Sequence, residues 1–340
     1  MTQELLVLSA SDVHTALSFA ECADAMRTAL LALTAGRAQM PLRTVTRPAG
    51  AAGLVALMPS YLSGEAGDRA MATYGLKAIC ITPSNPAAGL DTHQGVVLLS
   101  AGDTGEPVAL LNASAVTEIR TAAVSVLATE LLARPDAADL AVIGTGVQAR
   151  AHILALDDAR SLTTIRVAGR DPARTAEFAA ALRGQTTAPV RACDTAREAV
   201  EGAGIVVTAT SSAEPVLDRD WLAPGTHINA VGACLPNVRE LDTATMSAAA
   251  LIADRRDSML TESGDYLLAA AAGAVGPDQI RAELGELLAG TGHGRVSAAE
   301  LTVFESLGLA IEDLAAAARA CAAATRTRGT AAQIGTWLSF

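Results

Sequence analysis

The sequence predicts an α/β protein, a doubly wound parallel sheet joined to an α+β part. Three observations carry this. An apolar run, Leu140 to Ile143, feeds the turn Gly144-Thr145-Gly146, and Val147 to Ala159 follow as a helix with no proline before Pro172. Beyond that helix, short apolar runs alternate with helical stretches, as in successive βαβ units. Ahead of it, short apolar runs are separated only by turn residues, the pattern of an antiparallel meander.

Taken in order, residues 9–36 read as a first helical region. Ser11 or Asp12 can cap it, Phe19, Met26, Leu30, Leu31 and Leu33 line its apolar side, and Gly36 ends it. The meander follows as Leu54 to Pro59, Tyr74 to Ile81, Gly95 to Ser100 and Pro107 to Leu111, with Gly102-Asp103-Thr104-Gly105 as a hairpin turn. Residues 113–133 form a helix that ends before Pro135 and carries the chain out of the first part. After the glycine turn come a strand Ile165 to Ala168, a helix Pro172 to Leu182, a strand near Val190, a helix Thr195 to Val200 and a strand Ile205 to Thr208. Further apolar runs at His227 to Val231 and Ala250 to Ala253 continue the alternation, and the Ala-rich helix Ala310 to Ala324 can return to the first part.

Composition excludes several classes of function. The 340 residues suffice for two domains. A formal charge of −11 and 3% aromatic residues argue against nucleic acid, which selects basic faces and stacking rings. The longest apolar stretch, Leu267 to Val275, is too short to span a bilayer. The opening Met-Thr-Gln-Glu lacks the basic region of an export signal. Five scattered cysteines without C-x-x-C spacing point to a reduced, cytoplasmic protein with no structural metal.

The glycine turn is where chemistry first becomes legible. In strand, G-x-G-x-x-A, helix, Gly144 permits the turn, Gly146 lets a pyrophosphate approach the backbone and Ala149 lets the helix pack on its strand. Phosphates then meet free N–H groups at the helix N-terminus, so a Rossmann-type dinucleotide site is expected. The strand after the crossover ends Ala168-Gly169-Arg170-Asp171-Pro172. An acid at its end suits the ribose hydroxyl of NAD, and an arginine suits the 2′-phosphate of NADP. With Gly169 and Arg170 there, and Asp171 placed to cap the helix that Pro172 opens, the expectation is NADPH, with NADH as the alternative.

Upstream, Arg43 and Arg47, Lys77 and Arg120 stand out among apolar neighbours. A solvated face is the ordinary reading of any one arginine. Lys77 differs, because a strand buried on both faces does not keep an ammonium without a partner, and a substrate carboxylate is such a partner. Thr92-His93-Gln94, just before a strand, offers further donors. His14, His152, His227 and His293 are expected to cap, pack or face solvent. No G-x-S-x-G, H-E-x-x-H, Walker-type loop or Cys/His cluster occurs, so no metal is expected.

These residues resemble the ornithine cyclodeaminase/mu-crystallin family. The marks run over almost the whole chain: Met40-Pro41-Leu42-Arg43, Gly75-Leu76-Lys77, Ile119-Arg120-Thr121-Ala122-Ala123, Ile143 to Arg150, Gly225 to Ala233, Glu262-Ser263-Gly264-Asp265 and Thr302 to Asp313. The resemblance implies a homodimer. It implies a substrate and dimerisation domain from residues 1–124 and 316–340, and a Rossmann domain from 125–315. It implies that Arg43, Lys77 and Arg120 bind the carboxylate of an imino or amino acid and serve catalysis, and that Thr92, His93, Cys234, Glu262 and Ser306 lie near the substrate. Thr121, Gly144, Thr145, Gly146, Val147, Gln148, Gly169, Arg170, Asp171, Thr208 and Val231 are implied for the nucleotide.

One departure bears on the reaction. Where cyclodeaminases of the family carry an aspartate this chain has Cys234, and a mostly neutral thiol is a poor general base for water. The run Gly232 to Leu241 resembles the mu-crystallin branch instead. The implied reaction is NAD(P)H-dependent reduction of a cyclic ketimine, such as Δ1-pyrroline-2-carboxylate or Δ1-piperideine-2-carboxylate, to the L-amino acid. The rivals are deamination of the cyclodeaminase or alanine dehydrogenase type, and a non-catalytic protein that binds NADPH and a small ligand.

Overall fold

The structure is a computed structural model and describes residues 4–64 and 72–339; Met1-Thr2-Gln3, read above for an export signal, lie outside them. In chain order the first elements are β1 (Glu4–Leu8), α1 (Ala10–Ala16), α2 (Phe19–Thr34), β2 (Ala38–Gln39), β3 (Thr44–Thr46), β4 (Leu54–Leu62), β5 (Thr73–Ile81), β6 (His93–Ala101), β7 (Pro107–Asn112) and α3 (Ala113–Leu132). Then come β8 (Asp139–Ile143), α4 (Val147–Ala159), β9 (Thr164–Ala168), α5 (Pro172–Ala181), β10 (Val190–Ala192), α6 (Ala196–Val200), β11 (Ile205–Thr208) and β12 (His227–Ala230). The chain closes with α7 (Thr243–Ala248), β13 (Ala250–Ala253), α8 (Arg256–Glu262), α9 (Gly264–Ala271), β14 (Ile280–Glu283), α10 (Leu284–Leu288), β15 (Thr302–Glu305), α11 (Ala310–Arg326) and β16 (Thr336–Ser339). Two units form, one running up to Arg120 and resuming at Leu309, the other Thr121–Gly308. The first unit resumes at Leu309, immediately before α11. Helix α11 packs on α2, β4 and β5 of that unit.

In the first unit the strands run β16-β1-β7-β6-β5-β4-β2, with β3 on β4. Strands β4 to β7 are the antiparallel meander, and Gly105 has φ +77° in the hairpin turn. Alternate residues Leu54, Ala56, Met58 and Ser60 are buried, as period-2 patterning requires. Helix α11 crosses this face, and the Ser60 hydroxyl donates to Ala310 O at 3.1 Å. A Cβ at residue 75 would lie 2.9 Å from Leu314 Cβ, so Gly75 is what admits the helix. The single helix expected over 9–36 is in fact two. Ser18 starts a new helix by a reciprocal capping box with Glu21, and Ser9, rather than Ser11 or Asp12, caps α1, with Asp12 as its box partner.

The second unit is a parallel sheet ordered β10-β9-β8-β11-β12-β15-β13-β14. Along β8, Leu140 and Val142 enter one core with Ile153 and Leu156 of α4. Ala141 and Ile143 enter the other, with Met246 and Met259. Two cores on two faces explain why β8 and β11 are apolar at successive positions. Among the described residues no helix is long and apolar enough to cross a membrane, and the five cysteines are unpaired with one another.

Candidate active site

Strand β8 ends at Ile143, and Gly144 turns the chain with φ +130°, where a Cβ would meet Ala209 O at 2.4 Å. Only glycine fits that turn. Gly146 is the N-cap of α4, offers no side-chain cap, and has nothing within 4 Å of where a Cβ would point. The first-turn N–H groups of a 13-residue helix therefore open onto space, the arrangement a pyrophosphate needs. A cavity of about 620 Å³ lies there. Gly144, Thr145, Gly146, Gly169, Arg170 and Asp171 line it. It also includes Arg174, Thr210, Ser211, Ser212 and Trp221, which the sequence reading missed. The hydroxyl cluster directly after the apolar strand β11, and an arginine one helical turn beyond Arg170, were the available signals. These residues fit a dinucleotide.

The local chemistry around the expected ribose position is resolved in detail. Asp171 caps α5, its Oδ1 accepting from Ala173 N at 2.9 Å and Arg174 N at 3.3 Å. Its carboxylate is thereby engaged with backbone, while two guanidinium side chains, Arg170 and Arg174, line the same cavity. Thr121, Thr208 and Val231 are buried, Val147 is exposed and Gln148 is half-buried. None of these five lines this cavity.

Within the first unit a second group assembles around α11. Lys77 on β5 and Arg120 on α3 are 4% and 5% exposed. Lys77 Nζ lies 2.7 Å from Asp313 Oδ2. Arg120 Nε donates to Asp313 Oδ1 at 3.2 Å and its NH1 to Glu312 Oε2 at 3.0 Å. The partner that burial demands of Lys77 is thus supplied by the protein itself. Asp313 bridges the two cations and fixes both, and sequence reasoning missed it because the pairs span more than 190 residues.

Burial lowers the Lys77 pKa from 10.5 to about 8, with Asp313 holding it up and the charges of Arg120 and Arg43 pressing it down. Arg43, half-buried between β2 and β3, therefore belongs to the same field. His93 starts β6, and burial followed by the charges of Lys77 and Arg120 takes its pKa to about 4, so its ring is neutral at pH 7. Thr92 precedes it, half-buried. Burial pushes Glu312 up against the pull of Arg120. Cys234, Glu262 and Ser306 lie in the second unit, Cys234 after β12, Glu262 at the end of α8 and Ser306, buried, after β15. Among the described residues no His, Cys, Asp and Glu group suits a metal.

The profile of the ornithine cyclodeaminase/mu-crystallin family matches residues 3–325. The chain belongs to this family. Within the family it is 38% identical to the ketimine reductase mu-crystallin of Mus musculus over 282 residues, 83% of this chain and 84% of the relative. The structure of Thermococcus litoralis Δ1-pyrroline-2-carboxylate reductase in complex with NADH and L-proline superposes with a TM-score of 0.91 at 35% identity, covering 97% of this chain and 99% of that one. An archaeal alanine dehydrogenase dimer with bound NAD gives a TM-score of 0.90 at 29% identity, covering 99% and 100%.

Proposed function

We propose that this family member reduces a cyclic ketimine bearing a carboxylate, such as Δ1-pyrroline-2-carboxylate or Δ1-piperideine-2-carboxylate, to the L-amino acid with a nicotinamide nucleotide. The observation that carries the reading is the buried group on the first unit. Two buried cations, Lys77 and Arg120, stand against Asp313 and Glu312, and burial favours the neutral form of Glu312 while the charge of Arg43 also acts on Lys77. Such a group attracts one more anion, and a guanidinium fork already oriented by Asp313 and Glu312 costs little entropy to engage it. A bound reduced nicotinamide supplies the hydride for the imine carbon. Lys77, mostly protonated at pH 7 yet with its pKa near 8, holds the carboxylate and is able to pass a proton toward the imine nitrogen. His93, neutral, adds no competing charge. The chain's own contribution is positioning.

Arg170 and Arg174, beside an Asp171 already engaged as a cap, favour NADPH over NADH. A homodimer is the natural oligomer, because the outer face of the first-unit sheet carries Leu57, Tyr74, Val96 and Val108 at 41%, 49%, 37% and 42% exposure. Cysteines not joined in disulfides are in keeping with a reducing, cytoplasmic setting. The test is oxidation of NADPH followed by its absorbance with each imine in turn, with NADH alongside and ornithine plus NAD as control. Turnover of an imine with none of ornithine is expected. Ammonia release from ornithine, or no oxidation with either imine, overturns the reading.

A further inference from the structure

Four carboxylates, on Glu240, Asp254, Asp265 and Glu305, are each at most 1% exposed in the second unit and have no place in the reaction as described. They gather at the carboxyl ends of β11, β12, β13 and β15, the edge where an open α/β sheet carries its ligand. Glu305 accepts from the Ser263 hydroxyl at 2.9 Å, and the other three hold backbone. Glu240 Oε1 accepts from Thr210 N at 2.6 Å and Oε2 from Gly232 N at 2.7 Å. Thr210 follows β11 by two residues and lines the nucleotide cavity; Gly232 follows the neighbouring β12 by two. A Cβ at residue 232 would meet Thr210 O at 2.1 Å and Glu240 Cδ at 2.6 Å, so loop, loop and carboxylate leave no slack. Glu240 is itself anchored, Asp265 Oδ1 accepting from Glu240 N and Leu241 N, both at 2.8 Å. Beyond it, Asp254 Oδ2 accepts from Leu307 N at 2.8 Å and Gly308 N at 2.7 Å in the loop after β15.

We infer that Glu240 is a positioning residue for the dinucleotide, its carboxylate tying the loops after β11 and β12 so that the cavity wall at Thr210 is fixed before the nucleotide arrives. The inference rests on the reading of that cavity as a nicotinamide-nucleotide site. A buried carboxylate is costly, and burial duly raises the Glu240 pKa against its hydrogen bonds from Thr210 and Gly232. Two short charge-assisted bonds from neighbouring loops repay that cost with rigidity where the ligand sits.

Glu240→Gln keeps one acceptor and turns an NH₂ toward the other N–H, cutting one tie. Asp265→Asn is its companion: Oδ1 still accepts both N–H groups, and Oδ2 accepts no hydrogen bond from the described residues. Trp221 lines the cavity, so quenching of its fluorescence in a Trp337→Phe background reports nucleotide Kd directly. Glu240→Gln is expected to raise Kd about tenfold or more with the imine KM unchanged, and Asp265→Asn to leave Kd within about twofold. Equal nucleotide affinity in Glu240→Gln and wild type overturns the inference, as does an equal loss in both variants. A wild type that binds no dinucleotide sinks the reading of the cavity instead. Should Glu240→Gln not fold, hydrogen exchange decides on the wild type. The Thr210 and Gly232 amides are expected to be protected without nucleotide, and fast exchange at either overturns the tie.

Discussion

Replacing Asp313 by Asn removes the charge that both buried cations share. Its oxygens lie 2.7 Å from Lys77 Nζ and 3.2 Å from Arg120 Nε, and all three side chains are at most 6% exposed. Breaking such a pair leaves uncompensated charge in the interior and costs about 3–5 kcal/mol. For a domain of this size that lowers Tm by about 10 °C. The pH dependence changes as well. Burial already holds Lys77 at about 8 instead of 10.5, a penalty of about 3 kcal/mol on its charged form. Between those values the unfolded chain binds the extra proton, so stability of the first unit rises as pH climbs from about 8 toward 10.5. Asp313 is the principal charge opposing the shift, so without it the Lys77 pKa falls below 8. The assays are calorimetry and the pH profile of kcat/KM for Δ1-pyrroline-2-carboxylate. The upper limb of that profile, set by loss of the Lys77 proton, is expected to move to lower pH in Asp313→Asn. A variant with wild-type Tm and an unmoved upper limb refutes the shared-charge argument.

Other expectations follow from the same geometry. Arg120→Lys keeps the charge but loses the fork that reaches Asp313 and Glu312 together, so steady-state kinetics should show imine KM raised by about ten- to a hundredfold with nucleotide Kd unchanged. Arg170→Ala combined with Arg174→Ala should raise KM for NADPH by about tenfold or more and leave KM for NADH within about twofold; a parallel rise for both nucleotides would remove the 2′-phosphate assignment. Gly144→Ala forces a side chain into φ +130° and against Ala209 O, so calorimetry should find about 1–3 kcal/mol of lost stability and titration should find nucleotide binding abolished.

The sequence made some elements plain and concealed others for physical reasons. Helix α4 and strands β11 and β13 fall where expected because glycine turns and unbroken apolar runs leave no competing period. The break at Ser18 rests on the Ser18/Glu21 capping box, a side-chain pairing that apolar periodicity does not register. Strands β1 and β16 escaped notice: β1 is five residues flanked directly by a helix cap, and β16 finds its partner more than 300 residues away. Lys77, Arg120 and His93 were legible as polar groups in apolar surroundings. Asp313 and Glu312 were not, since a helix beginning with two acids reads as ordinary first-turn chemistry. Glu240 was equally invisible, because its role is to hold backbone N–H groups that carry no side-chain signature.

The placement of α11 also sets an order of events during synthesis. Residues 121–308 form one uninterrupted unit, so that unit is complete in the nascent chain before α11 has been made. The other unit has to wait. Strand β1 is bordered on one side by β16, and both carboxylates facing Lys77 and Arg120 sit at residues 312 and 313. Until the ribosome has passed those codons, the two cations have no acidic helix to meet and the face of β4 and β5 has no cover. A ribosome stalled short of α11 therefore presents a finished nucleotide unit tethered to an open, cationic sheet, the form on which a chaperone would act.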